Sequence, residues 1–278
     1  MQIRAGGEVQ FAATDVADAT GCGHRTTLKL RIAEKKLSIF RFDDPALALL
    51  QQRGLEHEAA YVAALTALGL RVERVYADGM ANQTAHDATI AAMRAGIDVI
   101  VQARLLLGDQ GGTLDILRRV ETPSALGAWS YEVYDTKLAR SAQLGAVMQV
   151  AYYSAMVAIV QGSTPAKMHL VAPALVEIVD GAVRGATDPF ATTSFATADF
   201  AAYFRRAFAE LRSTVAELQT GPLLPTYPEP CAACASCSFA QHCEAQREAD
   251  DHLSLVPGAT TAHRAVLAER GIDTVAAL

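Results

Sequence analysis

Three observations predict a mixed α/β fold. The runs "IDVIVQARLLL", "GGTLDILRRVE" and "AWSYEVYDTKLA" read as consecutive strands, separated by "GDQGG" and by the turn at 123–127. Helical patterns stand before and after them. A chain of 278 residues with 51% hydrophobic content also supplies enough apolar surface for a large core, in one large domain with an appendage or two modest ones.

The elements follow in order. "ATDVADATGCGHRTTLKLRIAE" is expected to be helical behind a Thr14 or Asp15 cap. "DDPALALLQQRGLEHEAAYVAALTALGL" is a long helix with Pro45 in its first turn and Gly69 near its end. "RVERVYA" is a short strand and "ANQTAHDATIAAMRAG" a helix that Gly96 closes. After the three central strands, residues 141–166 carry no charge. Their length invites a membrane span, but Gln143, Gln149, Ser154, Gln161 and two tyrosines fit a helix buried in a core. "KMHLVAP" and "LVEIVDGAV" each read as a strand, residues 197–218 as a helix, and the proline-rich "QTGPLLPTYPEP" as a linker. The opening residues lack an apolar signal core, so a cytoplasmic protein without a membrane partner is expected.

Chemistry gathers in two places. In "YEVYDTKLAR", strand alternation sends Tyr131, Val133, Asp135 and Lys137 to one face, and Glu132, Tyr134 and Thr136 to the other. For any one D-x-K triplet a surface ion pair on an edge strand is the commoner explanation, since such pairs are frequent and weak. Asp115, however, lies between Leu114 and Ile116 in the preceding strand, where an acid is costly without a partner or cation. Two such carboxylates suit a hard divalent ion, Mg²⁺ or Mn²⁺, that acidifies water and neutralises phosphate charge. Lys137 would orient the water or stabilise developing charge.

"GLEHE" with His57, "GGTLD" with Asp115, "YDTK" with Asp135 and Lys137, and "QVAYY" with Gln149 and Tyr153 occur in the order of the RecB-like branch of the PD-(D/E)XK nucleases, which the chain resembles. The resemblance implies a restriction-endonuclease-like core, a mixed central sheet flanked by helices. It further implies His57, Asp115 and Asp135 as metal ligands, Lys137 as the catalytic lysine, and Gln149 with Tyr153 as its support. Those two are four residues apart and share a helix face. The implied activity is cleavage of single-stranded DNA or DNA ends, by an exonuclease in preference to an endonuclease, in repair, recombination or defence.

The second place is "CAACASCSFAQHC", which holds Cys231, Cys234, Cys237 and Cys243, four of the five cysteines. In a cytoplasmic setting this density favours metal over disulfides, and zinc and iron-sulfur both remain open on spacing. The fifth cysteine, Cys22, completes a likeness to the iron-staple nucleases. That likeness implies a [4Fe-4S] cluster on Cys22, Cys234, Cys237 and Cys243, with Cys231 as a spare thiol. Such a cluster would close a loop of about two hundred residues around the nuclease core.

A net charge of -6 excludes a protein coated in basic surface. DNA contact would rest on a local patch, with Arg25, Lys29, Lys35, Lys36 and Arg140 as candidates; a solvated helix face would look the same. Residues 1–248 are expected to form the nuclease domain. Residues 249–278 carry a Pro-Gly turn, a helix from Thr261 to Glu269 and the start of another in "GIDTVAAL", which resembles a helix-hairpin-helix element. Modules of this kind resemble those fused to helicases, so a helicase in cis or in trans is an expected partner. The competing expectation is a non-catalytic DNA-binding module that positions DNA for a motor.

Overall fold

The computed structural model describes residues 1–39, 45–139, 141–174, 176–179, 182–185 and 188–278. The elements run β1 (Gln2–Ile3), β2 (Val9–Gln10), α1 (Ala13–Gly21), α2 (Gly23–Ala33), α3 (Pro45–Ala67), β3 (Val72–Arg74), α4 (Asn82–Arg94), β4 (Val99–Leu107), β5 (Gln110–Val120), β6 (Ser130–Thr136), α5 (Leu144–Gln161), β7 (Lys167–Pro173), β8 (Val176–Val179), β9 (Ala182–Gly185), β10 (Phe190–Ala196), α6 (Thr197–Thr220), α7 (Ala240–Ala249) and α8 (Thr261–Ala268). They form two compact units, Met1–Ala17 with Asp43–Leu211, and Asp18–Phe42 with Arg212–Leu278.

The first unit is built on a six-stranded mixed sheet in the order β10-β7-β6-β5-β4-β3, flanked by helices. The two parallel contacts, β3 with β4 and β6 with β7, are the ones whose strands are joined through a helix, α4 and α5 respectively. Parallel pairing requires such a crossover, whereas β4, β5 and β6 run antiparallel, joined by residues 108–109 and 121–129. Tyr61 and Leu65 of α3 pack on Val99, Val101, Ile116 and Val171 in one core cluster. The uncharged helix α5 packs on β5, β6 and β7, with Val147, Met148, Val150, Tyr152, Met156 and Val157 buried. It is the one helix among the described residues long and apolar enough to cross a membrane, and half of that stretch is buried within the protein. Gly162 ends it at φ 68°, a left-handed conformation that a Cβ disfavours.

The second unit has a small core of Leu28, Phe239 and Cys243, with Ile32, Leu37, Ile39 and Cys237 against it. Arg31, 1% exposed, ties its segments together: Nε and the guanidinium nitrogens donate to the carbonyls of Leu218, Pro222 and Leu223 and to Glu34.

Several expectations need correction. The first helical run is two helices, because Cys22 adopts extended backbone (φ -162°, ψ 114°) as the N-cap of α2. Neither Thr14 nor Asp15 caps α1 from outside; Asp15 sits within it and accepts the N–H of Ala12. "LVEIVDGAV" is not one strand but contributes to two, β8 and β9, paired antiparallel; residues 180 and 181 lie outside those described. β10, a polar edge strand, and α7 were not anticipated. In the tail, α8 forms but the second helix of the expected hairpin does not. Thr274 pairs with His252, and the N–H groups of Val275 and Ala276 bond the Asp251 carbonyl and carboxylate, which holds the segment in turns.

Candidate functional site

In the first unit the ladder between β5 and β6 is paired up to Ile116 with Tyr134. Asp115 and Asp135 each come next beyond that pair. Asp115 is held in place by Thr136, whose backbone N–H (2.8 Å) and hydroxyl (3.0 Å) both donate to Oδ2. Asp135 is 3% exposed, and Lys137 Nζ lies 2.5 Å from its Oδ2. That ion pair is the contact that offsets the charge of the buried carboxylate. Burial, reinforced by the Asp115 carboxylate and opposed by Lys137, pushes Asp135 up to about 7.

Helix α5 contributes Gln149 and Tyr153. Burial and then the carboxylates of Asp135 and Asp115 push the Tyr153 phenol upward, so the hydroxyl stays protonated beside the two acids. The second glycine of "GGTLD", Gly112, makes room for it. A Cβ on Gly112 would stand 2.6 Å from Tyr153 Cε1. Gln149 lines a cavity of about 230 Å³ that Lys137 also borders.

His57 lies on α3 with Nε2 3.1 Å from the carbonyl of Val171, the oxygen that also accepts the N–H of Lys137. Its expected role as a ligand is therefore in competition with a backbone hydrogen bond. The neighbouring residue Glu58 was missed. It is 7% exposed, and Gln102 Nε2 donates to both of its oxygens at 2.9 and 3.0 Å. Burial raises its carboxyl, with Asp115 adding to the rise. Gln102 adopts φ 54° at the position of β4 between the pairs Val101 with Ile116 and Ala103 with Leu114, across from Asp115. A non-glycine residue in that region carries strain, and strained residues concentrate at working sites. Only the "E" following His57 in "GLEHE" could have signalled Glu58 in the sequence.

The donors suit a hard divalent cation in kind: oxygen ligands, and mutual repulsion between the carboxylates that a cation relieves. Among the described residues, no three His, Cys, Asp or Glu side chains stand in position around one ion.

In the second unit, Cys22, Cys231, Cys234, Cys237 and Cys243 line one small cavity of about 20 Å³. All five are free thiols. Burial, followed by Cys237, pushes Cys243 up to about 11, with Cys22 and Cys234 contributing and Arg247 opposing. The other three thiols that the resemblance selects thus each act on Cys243. Cys231 is exposed and lies 3.8 Å from Cys234 Sγ, with its own Sγ 3.7 Å from the Gly21 carbonyl. His24 shares the wall; its Nδ1 meets Thr226 at 2.8 Å, while its buried Nε2 has no hydrogen-bond partner. Soft thiols beside an unsatisfied imidazole suit zinc or an iron-sulfur centre. As the thiols stand, no three of them are in position around one ion among the described residues, so zinc or a cluster would require them to move.

Of the proposed DNA contacts, Arg25 and Lys29 both pair with Asp18, at 3.1 and 2.9 Å, and Lys36 pairs with Glu34 at 3.2 Å. Lys35 is exposed, at φ 59°. Arg140 lies outside the described residues. Compared with family models, with curated proteins and with solved structures, the chain matches none.

Proposed function

We propose that the chain is a divalent-cation-dependent deoxyribonuclease with a PD-(D/E)XK-type core, acting on single strands or strand ends. The observation that carries this reading is the meeting of Asp115, Asp135 and Lys137 beyond the last β5–β6 pair, with Tyr153 of α5 beside the acids. Asp115 and Asp135 would hold Mg²⁺ or Mn²⁺, with Glu58 or His57 completing the set. The cation supplies positive charge against the phosphate oxygens and acidifies water. Thr136 fixes the direction of the Asp115 carboxylate. Lys137 directs the attacking water and offsets charge that develops on the phosphate. Tyr153 keeps a protonated hydroxyl available to a phosphate oxygen.

The thiols of the second unit would serve a structural metal centre, a [4Fe-4S] cluster by resemblance, with zinc as the alternative that their chemistry also allows. Repair, recombination or defence in the cytoplasm, beside a helicase in cis or in trans, is the setting that suits such an enzyme.

The test is digestion of end-labelled single-stranded and duplex DNA, with Mn²⁺ or with EDTA, by the native chain and by Asp115→Ala and Lys137→Ala. Cleavage that needs Mn²⁺ and disappears in both folded variants supports the assignment. Equal cleavage by all three overturns it. DNA binding without cleavage by any form favours the second reading, a non-catalytic DNA-binding module.

A further inference from the structure

The geometry points to a subsite for one unpaired nucleotide in the cavity beside Lys137. The inference rests on the nuclease reading for what lies next to it, but on the cavity itself for what it holds. The floor is set by sheet register. Asp135 pairs with Leu170, and Leu170 pairs with Thr193, so the three stand side by side across β6, β7 and β10 on one face. Leu170, Ala172 and Thr193 form that floor, while Gln143, Ala146 and Gln149 at the start of α5 form a wall. A phosphodiester centred on the two acids therefore has the cavity one strand spacing, about 5 Å, to its side.

Size and chemistry select the occupant. At about 230 Å³ the cavity falls below the roughly 300–1,000 Å³ of pockets that enclose drug-sized ligands. It suits one nucleoside and excludes a base pair. Among the described lining side chains only Lys137 carries a charge, and Asp135 already engages it. The remainder are methyl, amide and hydroxyl groups, which match the apolar face and polar edges of a base better than a second phosphate. A base stacked in a duplex cannot enter; one splayed from a single strand can. This cavity would then explain a demand for unpaired strand without any aromatic platform.

The test separates binding from cleavage. A fluorescent oligothymidylate, the same strand with one abasic position moved along it, and the duplex form are titrated with the native chain and with Ala172→Leu in Ca²⁺, and then digested in Mn²⁺. We expect one abasic position to weaken native binding about tenfold, and Ala172→Leu to weaken the intact strand similarly. That variant should bind the worst-placed abasic strand as the native chain does. The native chain's response to the abasic strand stands even if Ala172→Leu fails to fold. Equal affinity for intact and abasic strands at every position overturns the subsite, as does duplex bound as tightly as single strand. Selective binding with no Mn²⁺-dependent cleavage would retain the subsite and remove the nuclease.

Discussion

Lys137 Nζ stands 2.5 Å from Asp135 Oδ2, yet the carboxyl is still pushed up to about 7. Burial and the Asp115 charge together outweigh the ammonium. The folded chain therefore holds a carboxylate that it disfavours in ionised form, an arrangement that a bound cation would relieve.

This sets a pH dependence. An acid whose folded pKa exceeds its unfolded value, near 3.9, contributes fully to stability below about pH 4 and loses that contribution as pH rises through about 7. Denaturant unfolding in EDTA should show Asp135→Asn gaining on the native chain as pH rises from 5 to 8, by on the order of 1–3 kcal/mol. The same variant should lose Mn²⁺-dependent cleavage. A pH-independent difference would remove the strain assigned to this carboxylate.

Glu58 is the acid next to His57, the residue singled out from the sequence. If it helps to hold the cation, Glu58→Gln should raise the Mn²⁺ concentration needed for half-maximal thermal stabilisation about tenfold, equivalent to 1.4 kcal/mol. Gln102→Ala, which frees Glu58 from its amide, should act in the same direction and less strongly. Unchanged Mn²⁺ titrations in both would leave the cation to Asp115, Asp135 and His57.

Gly112→Ala tests the close approach of Tyr153. With a Cβ 2.6 Å from the ring, α5 or the ring must shift, at about 1–3 kcal/mol. Thermal unfolding should show the loss, and near-ultraviolet circular dichroism should show the tyrosine environment altered. A variant as stable as the native chain would mean that the ring moves freely.

Metal content should separate the thiols. Serine at Cys22, Cys234, Cys237 or Cys243 is expected to lower metal per chain and the melting temperature, whereas Cys231→Ser should preserve both. Visible absorption distinguishes iron-sulfur from zinc. His24→Leu, which removes the unsatisfied Nε2, should release metal faster to a chelator; release at the native rate would leave His24 as a packing residue.

Arg31 offers a stability test that does not involve chemistry. It donates to three carbonyls and to Glu34 while almost fully buried. Arg31→Met should cost about 3 kcal/mol, because the carbonyls lose their donors. Denaturant titration followed by the release of bound metal would show whether the loss falls on the second unit.

The central strands and α5 were legible because alternation and an uncharged run are strong local signals. Asp115, Asp135, Lys137, Gln149 and Tyr153 were legible as an ordered set, and the fold brings them together. β10 was not, since "FATTSFA" shows hydroxyl groups to solvent and has no apolar period. The break at Cys22 depends on backbone conformation rather than on residue type. Glu58 was obscured by His57 because a helix turns adjacent residues by about 100°, and only tertiary packing decides which one faces the sheet.

The second unit draws on residues 18–42 and on residues 212–278. During synthesis, Cys22 leaves the ribosome about two hundred residues before Cys243, an interval on the order of 10–40 s at typical elongation rates. Throughout it the early thiol and its helix have no partner segment to fold against. If these thiols hold a metal, keeping Cys22 reduced and delivering that metal late are demands placed on the cell by the order in which this chain is made.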